Sequence, residues 1–487
     1  MNNDYELLEA STKETEIKSY LRHKKTGLKI EYQQSNKNEK GFSFTFNTPV
    51  EDQYLGTSHV LEHTVLCGSQ KYNVDFWDLL SFSFYTFSNA CTDIYNTKYF
   101  FNSLEEKEVF KFIPILADYV FFPRLSEEAF MQECFRVELD PKGDGRKKEI
   151  VSVIYNEMKP NHPDGTIAGG CYYKLHELTN EKIKQYHKKY YRPDNCLFTY
   201  KGNAPLEEVL LQLNTFLPEL EGKFEGSKVL PQTEFKEEEI PPKKTVQKII
   251  SDFFEGQDLQ EYKIKLKKLK EWQARNTSET AYKILSPDKI NKGDVDLKIS
   301  EEELWKNFNR HESSIRSRDK RFPEVYTTIN NDSCSITLRA SQLLSRSYYA
   351  EYALMFFLQD YISSNLRKLG RIYTGNFSYK FPADFVITTY ATDKPEKTIQ
   401  SIKEYISRLE NYNFTETDIL AIKYRIVSFV CSSPTPKFYF TDEIFTIKAE
   451  ELHQAAIRLS NIIKPQKFKK RSKDETYYFT LSDLSLY

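Results

Sequence analysis

The apolar positions of this chain switch between two periods along its length, and the switches outline its domains. "GLKIEYQ" (27–33) and "GFSFTFNT" (41–48) alternate apolar and polar residues with period two, as half-buried strands do. "TKYFF" (97–101) and "NCLFTYKG" (195–202) read as further strands. Between them the period lengthens to that of helices. One helix is predicted from Ser103, where Ser103 and Glu106 form a capping-box pattern, to the Phe-Phe-Pro stop at 121–123. A second is predicted from Ser126 and a third over 148–159. Strands followed by several packed helices imply an antiparallel or mixed sheet covered on one face.

Residues 221–320 lose this pattern. "EFKEEEIPPKKTVQK" and "EYKIKLKKLKEWQ" are densely charged, and the second has the apolar spacing of a long exposed helix, so a solvated linker with one helix is expected. From about 322 the first pattern returns: strands at 334–340 and 385–392, helices at 346–366, 395–411 and 415–430. The last of these helices has Thr415 and Asp418 in capping positions. The domains read from this are 1–220, a charged linker with a hinge-like helix over 221–320, and a C-terminal domain over 321–487. The fold class expected is α+β, with two domains of similar element order, each a mostly antiparallel sheet covered by helices.

Composition narrows the function classes. At 487 residues the chain exceeds one typical core, and 39% hydrophobic with 29% charged residues is a globular balance. The 69 basic and 70 acidic residues leave a net charge of −1, which supplies no global attraction to nucleic acid or an anionic membrane. Seven scattered cysteines without a C-x-x-C pair suit free thiols in a reducing compartment. There is no apolar run of about 18 residues to span a membrane. The N-terminal residues show neither an apolar signal core nor an Arg-rich amphipathic pattern, so a cytoplasmic location is expected.

The chemistry concentrates in "GTSHVLEHTVLCGS" (56–69). On a helix His59 and His63 lie one turn apart on one face, a spacing that lets two imidazoles reach one metal ion. Glu62 is placed to reach a metal-bound water without displacing either ligand, and this inverted H-x-x-E-H order is a zinc-peptidase arrangement. With eight histidines in the chain, the pattern arises by chance with a probability of about 1%. A third protein ligand is still required. In "KKEIVSVIYNEMKP" (147–160), Glu157 falls on the apolar stripe formed by Ile150, Val153, Ile154 and Met158. A carboxylate there is costly unless bound, either to a metal or in a salt bridge with a Lys or Arg from elsewhere.

"HVLEHTVLCGSQKY", "FYTFSNACTDIYNTKYF", "ILADYVFFPRLSEEAFMQE", "VIYNEMK" and "LTNEKIKQYHKKYYRPDN" occur here in order and approximate spacing. In these segments the chain resembles the pitrilysin-type inverted-motif zinc metallopeptidases, with most likeness to their presequence-protease branch. The resemblance covers about 23–203 and, less strongly, about 325–430. It implies one zinc per chain held by His59, His63 and Glu157, with Glu62 as general base. It further implies that Asn89 and Ala90 sit on an edge strand whose backbone pairs with an extended peptide. "NLRKLGRIYTGNF" (365–377) matches a segment whose Arg and Tyr hold the scissile carbonyl, here Arg367 and Tyr373.

Full-length relatives of that branch have four such domains closing around a chamber, whereas this sequence has room for two. The resemblance therefore implies an endopeptidase for short unstructured peptides such as targeting presequences, with a second copy or a partner subunit completing the chamber. The alternatives are a non-catalytic scaffold of the same fold, or one half of a hetero-oligomeric peptidase. A mitochondrial or related organelle is the alternative location.

Overall fold

A computed structural model describes residues 4–13, 16–35, 39–139, 148–222, 239–289, 325–329, 333–339, 341, 345–368, 372, 374–380, 384–390, 392, 394–432 and 442–463. The chain forms two compact units, Met1–Ser286 and Pro287–Tyr487.

The first unit is built on a seven-stranded sheet. Its strands are β1 (Tyr5–Lys13), β2 (Glu16–His23), β3 (Lys29–Gln34), β4 (Lys40–Asn47), β5 (Tyr85–Thr92), β6 (Asn96–Ser103) and β9 (Cys196–Gly202). Their order is β1-β2-β3-β9-β4-β6-β5, antiparallel except for β3 and β9, which run parallel. The period-two pattern of β4 puts Phe42, Phe44 and Phe46 on the buried face. Phe42 and Phe44 meet Phe198 of β9, and Phe121 of helix α3 (Glu106–Phe121) packs on Phe46 with ring centroids 5.4 Å apart. Helix α1 (Thr57–Val65) is buried along its whole length, as an element enclosed by others must be. Helices α2 (Phe76–Leu80), α4 (Glu127–Glu133), α5 (Val153–Asn161), α6 (Asn180–Tyr190), α7 (Leu206–Leu213) and α8 (Leu217–Leu220) complete this layer. A separate two-stranded sheet pairs β7 (Arg136–Leu139) with β8 (Lys148–Val151).

Three local expectations shift. Ser103 ends β6 instead of capping a helix: its hydroxyl donates to the Phe84 carbonyl and accepts from Glu105 N, while α3 begins at Glu106. The helix predicted over 148–159 begins only at Val153, where the Ser152 hydroxyl accepts from Tyr155 N at 3.0 Å. The residues before it, including Ile150 and Val151, form β8, where branched side chains fit a pleated surface. The 221–320 stretch contains α9 (Val246–Phe254), α10 (Leu259–Arg275) and α11 (Ser278–Leu285), not one solvated helix. Tyr262, Leu266 and Leu269 recur at i, i+4 and i+7 on α10 and bury against Met131, Leu139, Phe253, Phe254 and Trp272. The boundary expected at 320 lies outside the described residues.

The second unit has a four-stranded antiparallel sheet ordered β10-β11-β13-β12, from β10 (Val325–Ile329), β11 (Ser333–Arg339), β12 (Thr374–Lys380) and β13 (Asp384–Tyr390). Helices Arg346–Lys368, Pro395–Arg408, Glu416–Ser432 and Ala449–Ile463 pack with it. The predicted cap at Thr415 forms: Asp418 N donates to the Thr415 hydroxyl at 3.2 Å, and Thr415 N donates to the Asp418 carboxylate at 2.8 Å. Its strand order matches β3-β4-β6-β5 of the first unit, which carries β9 inserted between β3 and β4. The fold is thus α+β in two units, as the sequence pattern predicts. Among the described residues no helix is long and apolar enough to cross a membrane.

Candidate metal centre

The entry to α1 fixes the first two candidate ligands. Gly56 caps the helix with φ 74, and a Cβ there would meet the Gly169 carbonyl oxygen at 2.6 Å. That contact lets the Gly169–Gly170 turn close over the start of α1, where the Gly169 carbonyl lies 3.2 Å from His59 Nδ1. One turn on, His63 Nδ1 lies 3.0 Å from Glu133 Oε2. A carbonyl and a carboxylate only accept, so in the neutral rings both Nδ1 atoms carry the proton and both Nε2 atoms present their lone pairs. The two rings stand perpendicular with centroids 4.9 Å apart.

Both Nε2 atoms face Glu157 on α5. Its Oε2 is 3.5 Å from His59 Nε2 and 3.4 Å from His63 Nε2. Three donor atoms at about 2.0–2.1 Å from a tetrahedral zinc ion would stand roughly 3.3 Å apart. The ligand atoms of all three residues lie within 4.8 Å of one another, so the group can hold a metal ion. Glu157 Oε2 is buried and has no hydrogen-bond donor. Such an atom is costly unless something cationic occupies the space it faces. The residues present therefore fit a divalent ion with two imidazoles and one carboxylate.

Without an ion, protons fill the same role. Burial pulls the His59 pKa down, but the Glu157 carboxylate more than offsets it, and the net shift is upward. Burial also opposes charge on His63, yet Glu133 and Glu157 raise it to about 9. Burial pushes the Glu157 carboxyl up, and the two histidines overcome this and hold it well below the usual carboxylate range. Metal binding must displace those protons, which couples affinity to pH.

Glu62 precedes His63 on α1, and its Oε2 accepts from the Thr92 hydroxyl at 2.5 Å. Thr92 ends β5, the edge strand of the sheet among the described residues. Asn89 and Ala90 lie on that strand, opposite Phe100 and Tyr99 of β6, with Asn89 exposed and Ala90 half-buried. The structure thus brings His59, Glu62, His63 and Glu157 together and sets the edge strand's end beside Glu62. Arg367 is a half-buried residue in the last turn of Arg346–Lys368 in the second unit, and Tyr373 lies outside the described residues. Sequence reading missed Glu133, Thr92 and Gly169 as neighbours of the site.

Residues 50–142 match a family model described as insulinase (peptidase family M16), and residues 177–267 match one described as the M16 inactive domain. The chain is 35% identical over 216 residues to the mitochondrial presequence protease of Xenopus tropicalis, covering 40% of this chain and 21% of that protein. It is 34% identical over 221 residues to the chloroplastic/mitochondrial presequence protease 1 of Arabidopsis thaliana, covering 40% and 20%. It thus spans about a fifth of the length of the curated relatives it matches. A solved protease from Helicobacter pylori aligns over 92% of this chain and 96% of that one, with 13% identity and a TM-score of 0.34.

Proposed function

Taking the first half of the chain as a pitrilysin-family (peptidase M16) domain of the presequence-protease branch, we propose that the protein is a zinc metallo-endopeptidase acting on short unstructured peptides, targeting presequences among them. The observation that carries this reading is the buried Glu157 Oε2, without a hydrogen-bond donor and facing two imidazole nitrogens at 3.5 and 3.4 Å. His59, His63 and Glu157 would hold one zinc per chain. When bound, zinc supplies Lewis acidity toward the peptide carbonyl and lowers the pKa of water in the site.

The chain's own residues supply the rest. Glu62 takes a proton from the attacking water and returns it to the leaving amine, as a general base and then a general acid. The Thr92 hydroxyl occupies Glu62 Oε2 and so orients the other oxygen toward the reaction. The edge of β5 that is unpaired among the described residues, around Asn89 and Ala90, binds an extended peptide by adding a strand, a mode that selects unfolded substrates. Arg367 and Tyr373 are assigned to the developing oxyanion on the strength of their sequence motif. A second copy or a partner subunit completes the substrate chamber. The names of the relatives favour the organellar alternative over the cytoplasm.

Hydrolysis of an unstructured oligopeptide by the wild type and by Glu62→Gln, with zinc content measured in both, tests the reading. Zinc in both and a rate lower by about 10²–10⁴ in the variant is expected. Zinc in both without hydrolysis by either would replace the enzyme with a scaffold or a half-enzyme.

A further inference from the structure

His63, on α1, is tied to a second helix, α4. Its Nδ1 pairs with Glu133 Oε2 at 3.0 Å, and Glu133 is fully buried at the end of α4. The other oxygen, Oε1, accepts from Gln132 Nε2 at 3.0 Å. Gln132 is also buried, and its Oε1 accepts from Gln273 Nε2 at 3.0 Å. Gln273 belongs to α10, in the stretch whose charge marks it as a connector.

The direction of this chain of bonds is set by charge. A carboxylate can only accept, so Gln132 must turn its NH2 inward and its carbonyl outward, and Gln273 must then offer its NH2. Each amide polarises the next, and a buried network of this kind holds its members in single orientations. Alpha10 itself is anchored: the Tyr262 hydroxyl accepts from Val137 N at 2.8 Å and donates to the Val137 carbonyl at 2.9 Å, while Leu266 and Leu269 pack on the cluster around Met131. The donor at 273 is therefore delivered from a fixed platform.

The geometry points to Gln273 as a positioning residue for the metal site, acting through Gln132 and Glu133 on the orientation and basicity of His63. This rests on the reading of His59, His63 and Glu157 as metal ligands. Partners that orient a ligating histidine typically change metal affinity about 10–100-fold when removed, and a group one or two bonds further out is expected to change it about 3–10-fold.

The test is a zinc titration of the metal-free full-length chain against a competing chelator, with the visible spectrum of the cobalt-substituted protein as a second readout. Four proteins are compared: wild type, Glu133→Gln, Gln273→Glu and Gln273→Lys. Gln273→Glu keeps size but replaces the donor with an acceptor, whereas Gln273→Lys keeps a donor. Expected are weakened zinc binding and an altered cobalt spectrum in Glu133→Gln, a smaller change of the same kind in Gln273→Glu, and near-wild-type values in Gln273→Lys. A purely packing role for Gln273 would lower the melting temperature of both position-273 variants without separating their zinc affinities. Zinc affinity equal to wild type in Gln273→Glu, or equal losses in both variants, overturns the proposal. A wild type that binds no zinc overturns the metal-site reading itself and this inference with it.

Discussion

Helix α1 of the first unit and helix Arg346–Lys368 of the second follow the same pair of strands in the same sheet order, and both bury acidic side chains. Two carboxylates at these helices, Glu351 on Arg346–Lys368 and Glu157 of α5 facing α1, are treated in opposite ways. Glu351, fully buried on Arg346–Lys368, accepts from Ser341 N at 2.7 Å and from the Ser341 hydroxyl at 2.5 Å, with Arg458 Nη1 at 2.8 Å. Both oxygens of that carboxylate are engaged by the chain. Around α1, Glu157 Oε2, without a hydrogen-bond partner among the described residues, converges with two imidazole nitrogens at 3.5 and 3.4 Å. A buried charge satisfied from within is architecture. One that converges with lone pairs marks a place for a cation.

The contrast predicts different failures for the two carboxylates. Glu157→Ala removes one of three proposed ligands, and zinc affinity should fall about a hundredfold or more, read by chelator competition. Retained affinity would place the metal elsewhere. Glu351→Ala should leave zinc binding untouched and lower stability by about 2–3 kcal/mol in denaturant unfolding, because the Ser341 and Arg458 donors lose their acceptor. An effect of that variant on zinc, or no effect on stability, would erase the distinction between the two regions.

A smaller effect separates the metal-free from the loaded state. His63 has its pKa raised from 6.5 to about 9 by Glu133 and Glu157, against the burial that lowers it. A group raised on folding stabilises most below its unfolded pKa, and that contribution is lost as pH climbs through the folded one. The melting temperature of the metal-free chain should therefore fall between pH 6.5 and about 9. With zinc bound His63 is neutral throughout, and this slope should disappear. A slope that persists in the zinc-loaded protein would mean that other groups cause it.

What the sequence made legible follows from how far apart the contributing residues lie. His59, Glu62 and His63 could be placed together because helical spacing alone fixes their relation. Glu157 showed itself as a charge on an apolar face, even though Ile150, part of the same stripe, belongs to a strand. Glu133 and Thr92 gave no usable signal, since their roles depend on tertiary contacts across 70 and 30 residues. The connector misled for a different reason: its lysines and glutamates outnumber the Tyr262–Leu266–Leu269 stripe that anchors α10. The two-unit α+β plan was legible because strand alternation in β3, β4, β11 and β13 is local, whereas the β1–β2 hairpin and the β7–β8 pair were not anticipated.

The most direct test of the central claim is a calorimetric titration of zinc into the metal-free chain, repeated in buffers of different ionisation enthalpy. One zinc per chain, bound with proton release below about pH 9 and lost in His63→Ala, is the result predicted here. Absence of saturable binding, or binding that survives His63→Ala unchanged, would contradict it.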